Sequence, residues 1–206
     1  MDKIFLFDLG NVLAKRLDDY NLYNKLNCKI SYEDFLKYWW GDDLVIKAHM
    51  GVITDDEHVE ALLDFCKSDL SVNEFYEIYN RLDNSLYSDT VQIIKELKSM
   101  GYKIGLLSNL RLMDYKRYEE KIKRINFDYV FLSYEMNCIK PSKEIYLKVI
   151  DALNCEANKI IFFDDNKRNV NGAKLVGING YQSTGKNIKK IFDKIIKKQY
   201  IHDKHF

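Results

Sequence analysis

The stretch Ile4-Phe5-Leu6-Phe7-Asp8-Leu9-Gly10 runs a short block of apolar residues straight into a carboxylate. A continuous apolar run of this length suits a strand buried on both faces of a parallel sheet, because such a strand has no solvent face on which to alternate. The arrangement repeats downstream. Lys103-Ile104-Gly105-Leu106-Leu107 stops at Ser108-Asn109, Tyr129-Val130-Phe131-Leu132 stops at Ser133, and Ile160-Ile161-Phe162-Phe163 stops at Asp164-Asp165. Each expected strand ends on polar side chains.

Helical periodicity fills the gaps. Segment 89–100 places Val91, Ile94 and Leu97 on one face, with Gly101 where a C-terminal cap belongs. Segments 112–125, 142–154 and 168–177 read the same way, and the single proline, Pro141, precedes the helix carrying Ile145, Tyr146, Val149, Ile150 and Leu153. Strands alternating with helices predict an α/β fold with a doubly wound, Rossmann-like parallel sheet. Ligands of such sheets bind beyond the carboxyl ends of the strands, where Asp8, Ser108 and Asp164-Asp165 fall.

Residues 14–87 break the alternation and read as helices only. Ser31 with Asp34, Thr54 with Glu57, and Ser71 with Glu74 are capping-box pairs, the first a weaker Asp variant. Phe35, Tyr38 and Trp39, and Val59, Leu62, Leu63 and Cys66, follow at helical spacing. The expected organisation is an α/β core of 1–13 and 88–206 with a helical bundle, 14–87, inserted as a cap. Trp39-Trp40 are expected in the cap's aromatic core, with the lining of a substrate entrance as the alternative, and His49 and His58, which lack metal-ligand spacing, on its surface. The lysine-rich segment 186–198 places Ile188, Ile191, Phe192 and Ile195 on one helical face, with its lysines in water. His202 and His205 are expected in a mobile C-terminal tail.

The 206 residues suit one domain or a core with a modest insertion; 47% hydrophobic and 31% charged residues support a packed soluble core. A net charge of +1 gives no global electrostatic reason to expect nucleic acid. Cys28, Cys66, Cys138 and Cys155 form no zinc or CxxC spacing and read as reduced cysteines of a cytoplasmic protein. The N-terminal apolar run is too short for a signal peptide, and no run reaches the ~20 apolar residues of a membrane span. A monomer or weak dimer is expected, with a small anionic molecule as partner.

The polar clusters at the strand ends are compatible with phosphoryl transfer. A carboxylate such as Asp8 can attack phosphorus, and the anion then needs donors and positive charge around it. Asp8, Asp164 and Asp165 offer oxygen ligands to a hard divalent cation. Ser108 and the backbone of Asn109 can donate to phosphoryl oxygens, and Lys140 offsets the pooled negative charge.

These residues resemble the haloacid dehalogenase (HAD) superfamily. Phe7-Asp8-Leu9-Gly10-Asn11-Val12-Leu13 resembles its first motif, Leu107-Ser108-Asn109 its second, and Lys140-Pro141 its third. Phe162-Phe163-Asp164-Asp165-Asn166, followed by Asn171-Gly172-Ala173-Lys174-Leu175-Val176-Gly177-Ile178, resembles the fourth. The wording is most similar to the bacterial alpha-D-glucose-1-phosphate phosphatase group, and more distantly to the N-terminal phosphatase domain of soluble epoxide hydrolases. Residues 14–87 sit where such proteins carry a C1-type cap. The resemblance implies a Mg²⁺-dependent phosphatase. In it Asp8 is nucleophile and metal ligand, Gly10 lends its backbone carbonyl to the metal, Asp165 is a direct ligand, and Asp164 acts directly or through water. Ser108, Asn109 and Lys140 hold the phosphoryl group.

The sequence departs from the common pattern at position 10, where most phosphatases of the superfamily carry a second Asp that protonates the leaving oxygen. Such help is worth about 10²–10⁴ in rate. Gly10 therefore predicts a preference for esters with easy leaving groups, such as anomeric sugar phosphates, acyl phosphates or aryl phosphates. Asp18 and Asp19 are candidate substitute acids, although their simpler role is a helix N-terminus. The leading expectation is hydrolysis of a small phosphorylated metabolite through an aspartyl-phosphate. The rivals are a catalytically weak module that binds a phosphorylated ligand or a protein partner, and, less favoured, a haloacid dehalogenase. Dehalogenases also lack the second Asp but need no metal. A phosphomutase is disfavoured, since it must move protons on sugar oxygens efficiently.

Overall fold

The computed structural model describes residues 3–202, with side chains through Ile195. The chain opens with β1 (Ile4–Phe7) and passes through five helices: α1 (Asp19–Lys25), α2 (Tyr32–Gly41), α3 (Asp43–His49), α4 (Asp55–Phe65) and α5 (Val72–Asn80). It then alternates: α6 (Ser88–Ser99), β2 (Lys103–Ser108), α7 (Leu112–Ile125), β3 (Tyr129–Leu132), the short α8 (Ser133–Met136), α9 (Lys143–Leu153), β4 (Ile160–Asp164), α10 (Lys167–Leu175), β5 (Asn179–Gln182) and α11 (Ile188–His202).

The strands form one sheet in the order β3-β2-β1-β4-β5, and every pairing is parallel. β1 is central, which explains its unbroken apolar run. Phe5 and Phe7 face a core built with Ile93, Ile94 and Leu97 of α6, Tyr118 and Ile122 of α7, and Ile188, Phe192 and Ile195 of α11. Ile4 and Leu6 face the opposite core, built with Ile145, Tyr146, Val149 and Leu153 of α9 and Ala173 of α10. Helices therefore cover both faces, as the alternation predicts.

The sequence reading missed β5. Asn179-Gly180-Tyr181-Gln182 has no apolar run, because β5 lies at the sheet edge and only Gly180 is buried. A Cβ at Gly180 would stand 2.9 Å from the Val170 carbonyl oxygen, so close packing of α10 on β5 requires glycine there.

Helices α1–α5 have a core of their own, including Leu22, Phe35, Trp39, Val59, Leu62, Cys66 and Phe75. Thr54 with Glu57 and Ser71 with Glu74 make complete capping boxes. At Ser31 the box is half formed: the hydroxyl accepts from Asp34 N–H, but the shorter Asp turns its carboxylate to the Ser31 hydroxyl. The chain enters and leaves these helices side by side, with Lys15 N–H bonded to Ser85 O and Ala14 bridged to Leu86.

Two expectations need correction. His49 and His58 are not on the surface. His58 is fully buried against the rings of Tyr38 and Trp39, and the His49 side chain is only 17% exposed. Each lies on the side of its helix turned towards the buried Arg111 and Asp114, which offer polar partners that helical periodicity does not reveal. His202 ends α11 instead of lying in a tail, while His205 falls outside the described residues.

Candidate active site

The carboxyl edge of the sheet gathers residues from four loops. Asp8 extends β1 by one step, its N–H donating to Phe163 O at 2.9 Å, so the carboxylate is fixed at the strand end. Ser108, the last residue of β2, donates its hydroxyl to Asp8 Oδ1 at 2.7 Å. Lys140 donates to the same oxygen at 2.8 Å, to Asp164 Oδ2 at 2.7 Å and to the Leu107 carbonyl at 2.9 Å. All three ammonium donors are thus used, and the Lys140 side chain is 1% exposed.

Asn109 holds the lysine loop. Its amide oxygen accepts from Lys140 N–H at 2.8 Å, and its amide nitrogen donates to Lys140 O at 2.9 Å. Asp164 ends β4 fully buried; its carboxylate accepts from Asn166 N–H and from the Asn169 amide as well as from Lys140. Asp165, half-buried, accepts from the Asn11 amide at 3.0 Å. Asn11 adopts a left-handed backbone (φ 57°), which Asn tolerates better than most residues, and its amide oxygen accepts from the Tyr87 hydroxyl at 3.2 Å.

The electrostatics follow from burial. Burial pushes the Asp8 carboxyl up from 3.8 to about 6, against the pull of Lys140 and with help from the neighbouring Asp164 charge. For Lys140, burial works against the charged form, but the carboxylates of Asp164 and Asp8 outweigh it and hold the ammonium above its usual range. One carboxylate oxygen each from Asp8, Asp164 and Asp165 lie within 4.8 Å of one another. This all-oxygen set, crowded and only partly offset by one lysine, fits a hard divalent cation such as Mg²⁺.

Asp8, Gly10, Ser108, Asn109, Lys140 and Asp165 line one cavity of about 400 Å³ between the sheet edge and helices α1–α5. Asp164 lies behind it, reaching it through Lys140. A Cβ at Gly10 would meet only Asp8 Oδ2, at 3.9 Å, so nothing in the fold forces glycine there. Asp18 accepts from Asn21 N–H as the N-cap of α1, and the Asp19 carboxylate accepts from Trp40 Nε1 and Arg16. Neither lines the cavity. Trp39 is core, as expected, whereas Trp40 is half exposed at the cavity wall.

Arg111 joins the two parts of the chain. It donates to Asp114 through Nε at 2.9 Å and Nη2 at 3.0 Å, and through Nη1 to His58 Nε2 at 2.7 Å, and its guanidinium lies 4.4 Å from the Trp39 ring centre. Asp114 also accepts a short bond from the Tyr79 hydroxyl. Beyond Asp114, the partners of Arg111 come from helices distant in sequence, so no local pattern pairs them, and the sequence reading missed Asn11 and Asn169 as site residues. Asn11 stood within the quoted first motif. Asn169 carried only the signal of a polar residue one turn into the helix after Asp164-Asp165.

A doubly wound parallel sheet with carboxylates, a lysine and hydroxyl donors converging at its carboxyl edge defines a hydrolase site of the HAD type. The chain belongs to the haloacid dehalogenase-like hydrolase family, whose pattern matches residues 3–177. It is 30% identical over 93 residues to the sesquiterpene phosphatase astK of Aspergillus oryzae, and 35% identical over 72 residues to a phosphorylated carbohydrates phosphatase of Thermotoga maritima. These matches cover 45% and 35% of this chain but 47% and 30% of those proteins, so the likeness to each spans half of its length or less. An (S)-2-haloacid dehalogenase 4A of Burkholderia cepacia is 24% identical over 84% of this chain and 76% of its own. A HAD-family enzyme of Bacteroides thetaiotaomicron, solved with magnesium and inorganic phosphate, superposes with a TM-score of 0.75 at 24% identity, over 89% of this chain and 94% of that one. A HAD-like hydrolase of Porphyromonas gingivalis gives 0.76 at 20% identity, over 94% and 97%. Among the described residues, no helix is long and apolar enough to cross a membrane.

Proposed function

We propose that this protein is a Mg²⁺-dependent phosphatase acting on a small phosphate monoester, through an aspartyl-phosphate on Asp8. The observation that carries this reading is the Asp8–Asp164–Asp165 cluster, with Lys140 bridging Asp8 and Asp164 at the cavity floor. Asp8, Asp165 and the Gly10 carbonyl would hold Mg²⁺, with Asp164 acting directly or through water, and the ion would supply charge neutralisation at the phosphoryl oxygens. Asp8 attacks phosphorus with the carboxylate oxygen not engaged by Ser108 and Lys140; the ester P–O bond breaks and the alcohol leaves, taking its proton from water, and a water molecule then hydrolyses the acyl phosphate to free phosphate and Asp8. Ser108, Lys140 and the backbone of Asn109 hold the phosphoryl oxygens as charge builds up. Helices α1–α5 serve as a C1-type cap over the cavity and exclude bulk water.

Gly10 provides no acid for the leaving oxygen, and neither Asp18 nor Asp19 reaches the cavity to replace it. The reading therefore favours substrates whose leaving group needs little protonation, with an aldose 1-phosphate such as glucose 1-phosphate as the leading candidate. The phosphatase relatives support this class of chemistry. Gly10 also motivates a second reading, a module that binds a phosphorylated ligand without turnover.

One assay separates the readings. Hydrolysis of para-nitrophenyl phosphate and glucose 1-phosphate should require Mg²⁺ and disappear in Asp8→Asn. Metal-independent halide release from 2-chloropropionate would identify a dehalogenase. Inactivity across a broad phosphate panel would leave the binding module.

A further inference from the structure

One wall of the cavity carries cations that the Asp8 cluster does not use. Lys15 and Arg16 come from the segment leaving β1, and Arg117 from α7; all three line the same cavity as Asp8 and Asp165. Lys15 and Arg117 meet around Asp83. The Lys15 ammonium is 3.9 Å from Asp83 Oδ2, and Arg117 Nη2 donates to the carbonyls of Leu82 at 3.0 Å and Asp83 at 3.4 Å.

The two arginines of α7 and its cap differ in how their charge is met. Arg111 is neutralised by Asp114 in the two-pronged contact described above. Arg117 has no carboxylate within 4.0 Å among the described residues, and its Nε–H is buried without a partner. Its guanidinium lies 4.4 Å from the Tyr79 ring centre and 5.6 Å from that of Tyr118, partly withdrawn from water. A guanidinium held on aromatic faces, with Nη1 free of a partner and no carboxylate beside it among the described residues, can donate to an anionic oxygen group in the cavity. Lys15 and Arg16, whose side chains are 54% and 59% exposed, extend the positive wall towards the Trp40 ring, over which Arg16 lies at 5.1 Å. The carboxylates nearby are Asp83, which is solvated, Asp19, which already serves Arg16 and Trp40, and Asp114, which is taken up by Arg111 and Tyr79.

We propose that this cluster is a second anion subsite: the substrate carries a carboxylate or a second phosphate, besides the phosphoryl group presented to Asp8, and Arg117 with Lys15 and Arg16 holds it. The proposal rests on the phosphatase reading for the identity of the first group. The resulting substrate class is a sugar-sized anomeric phosphate bearing a further anion; glucose 1-phosphate presents the same phosphoryl group to Asp8 and is turned over, but it leaves the second subsite empty and binds more weakly.

The test is calorimetric binding to the Asp8→Asn protein in Mg²⁺, with three ligands sharing one anomeric phosphate: glucose 1-phosphate, glucose 1,6-bisphosphate and glucuronic acid 1-phosphate. At least one doubly anionic ligand should bind ten times more tightly than glucose 1-phosphate, and whichever does identifies phosphate or carboxylate as the second group. In Arg117→Met that ratio should fall towards one. If Arg117 only clamps the Leu82 and Asp83 carbonyls, the substitution weakens all three ligands by one common factor and leaves the ratio intact. Lys15→Gln, which keeps the Lys15 N–H bond to Ser85 O and touches neither the Leu82 nor the Asp83 carbonyl, should reduce the ratio by a smaller factor, and added salt should reduce it in the parent. Equal affinity for all three ligands overturns the proposal. Preferential binding of a doubly anionic ligand without Mg²⁺-dependent hydrolysis by the unmutated protein would refute the phosphatase reading and leave the subsite standing.

Discussion

The Lys140 ammonium stands 2.8 Å from Oδ1 of Asp8, and both side chains are withdrawn from water. The pair draws together two loops separated by more than half of the chain. It compensates only part of the negative charge that converges there, since the same lysine also serves Asp164. Gathering three carboxylates on one lysine is therefore electrostatically costly, and a bound divalent cation would offset that cost.

Asp8→Asn should accordingly stabilise the metal-free protein while abolishing turnover. Burial raises the carboxyl to about 6, so it is still ionised in the fold at pH 7 but at a cost relative to the unfolded chain, and a neutral amide of the same shape removes that cost. Thermal unfolding in EDTA should show Tm rising by roughly 2–4 °C for each kcal/mol recovered. The gain should shrink in Mg²⁺, because the ion binds the unmutated site more tightly.

Position 10 has room for the missing acid. A Cβ there meets only Asp8 Oδ2 at 3.9 Å. Gly10→Asp should therefore fold normally and raise kcat on primary alkyl phosphates such as glucose 6-phosphate, up to about 10²–10⁴-fold. Para-nitrophenyl phosphate, whose leaving group needs no proton, should gain far less. Equal gains on both esters would show that leaving-group protonation is not what limits the parent.

Arg111 and Asp114 form a buried pair at the junction of α7 with α4 and α5. Arg111→Met strands the Asp114 carboxylate and should cost about 3–5 kcal/mol in urea unfolding. Adding Asp114→Asn should restore most of the loss, because no buried charge is then left unpaired. If the double variant is no more stable than the single, the charge imbalance is not the source of the cost.

The buried histidines set a pH dependence. Burial and then the neighbouring Arg111 charge lower His58 to about 3 and His49 to about 4, from an ordinary 6.5. Both are neutral in the fold. His58 Nε2 accepts from Arg111, which leaves its proton on Nδ1, and His49 Nδ1 donates to the Val45 carbonyl. Their folded values lie below the unfolded one, so their contribution is complete above about pH 6.5 and is lost as pH falls towards 4 and 3. The slope is roughly 1.4 kcal/mol per pH unit for each proton taken up. Stability curves between pH 7 and 4 should fall less steeply in His58→Gln, and an unchanged slope would exclude His58 as a contributor.

Much of this was legible in the chain because strand and helix burial leave periodic marks. The run Ile4–Phe7 suited a strand enclosed on both faces, and Leu107-Ser108 and Phe163-Asp164 placed hydroxyl and carboxylate at strand ends. β5 left no such mark, because an edge strand packed on one side needs a glycine at Gly180 more than it needs apolar residues. The histidines were misplaced for a related reason. A polar residue beside a helix's apolar stripe is read as exposed unless its partner, here Arg111 from a distant element, is known.

The sequence by itself determined the parallel sheet, the helical insertion after β1 and the set of polar residues at the carboxyl edge, because each depends on local periodicity or on motif order. Tertiary structure alone decided how those residues divide their work. It placed Asp164 behind Lys140 and Asp165 in the cavity, and assigned Asn109 to hold the lysine loop. It left Asp18 and Asp19 at the start of α1, and neutralised Arg111 while leaving Arg117 without a counter-ion among the described residues. Those outcomes depend on which charges meet across hundreds of ångströms of contour folded into a few, and no local pattern in the chain encodes that distance.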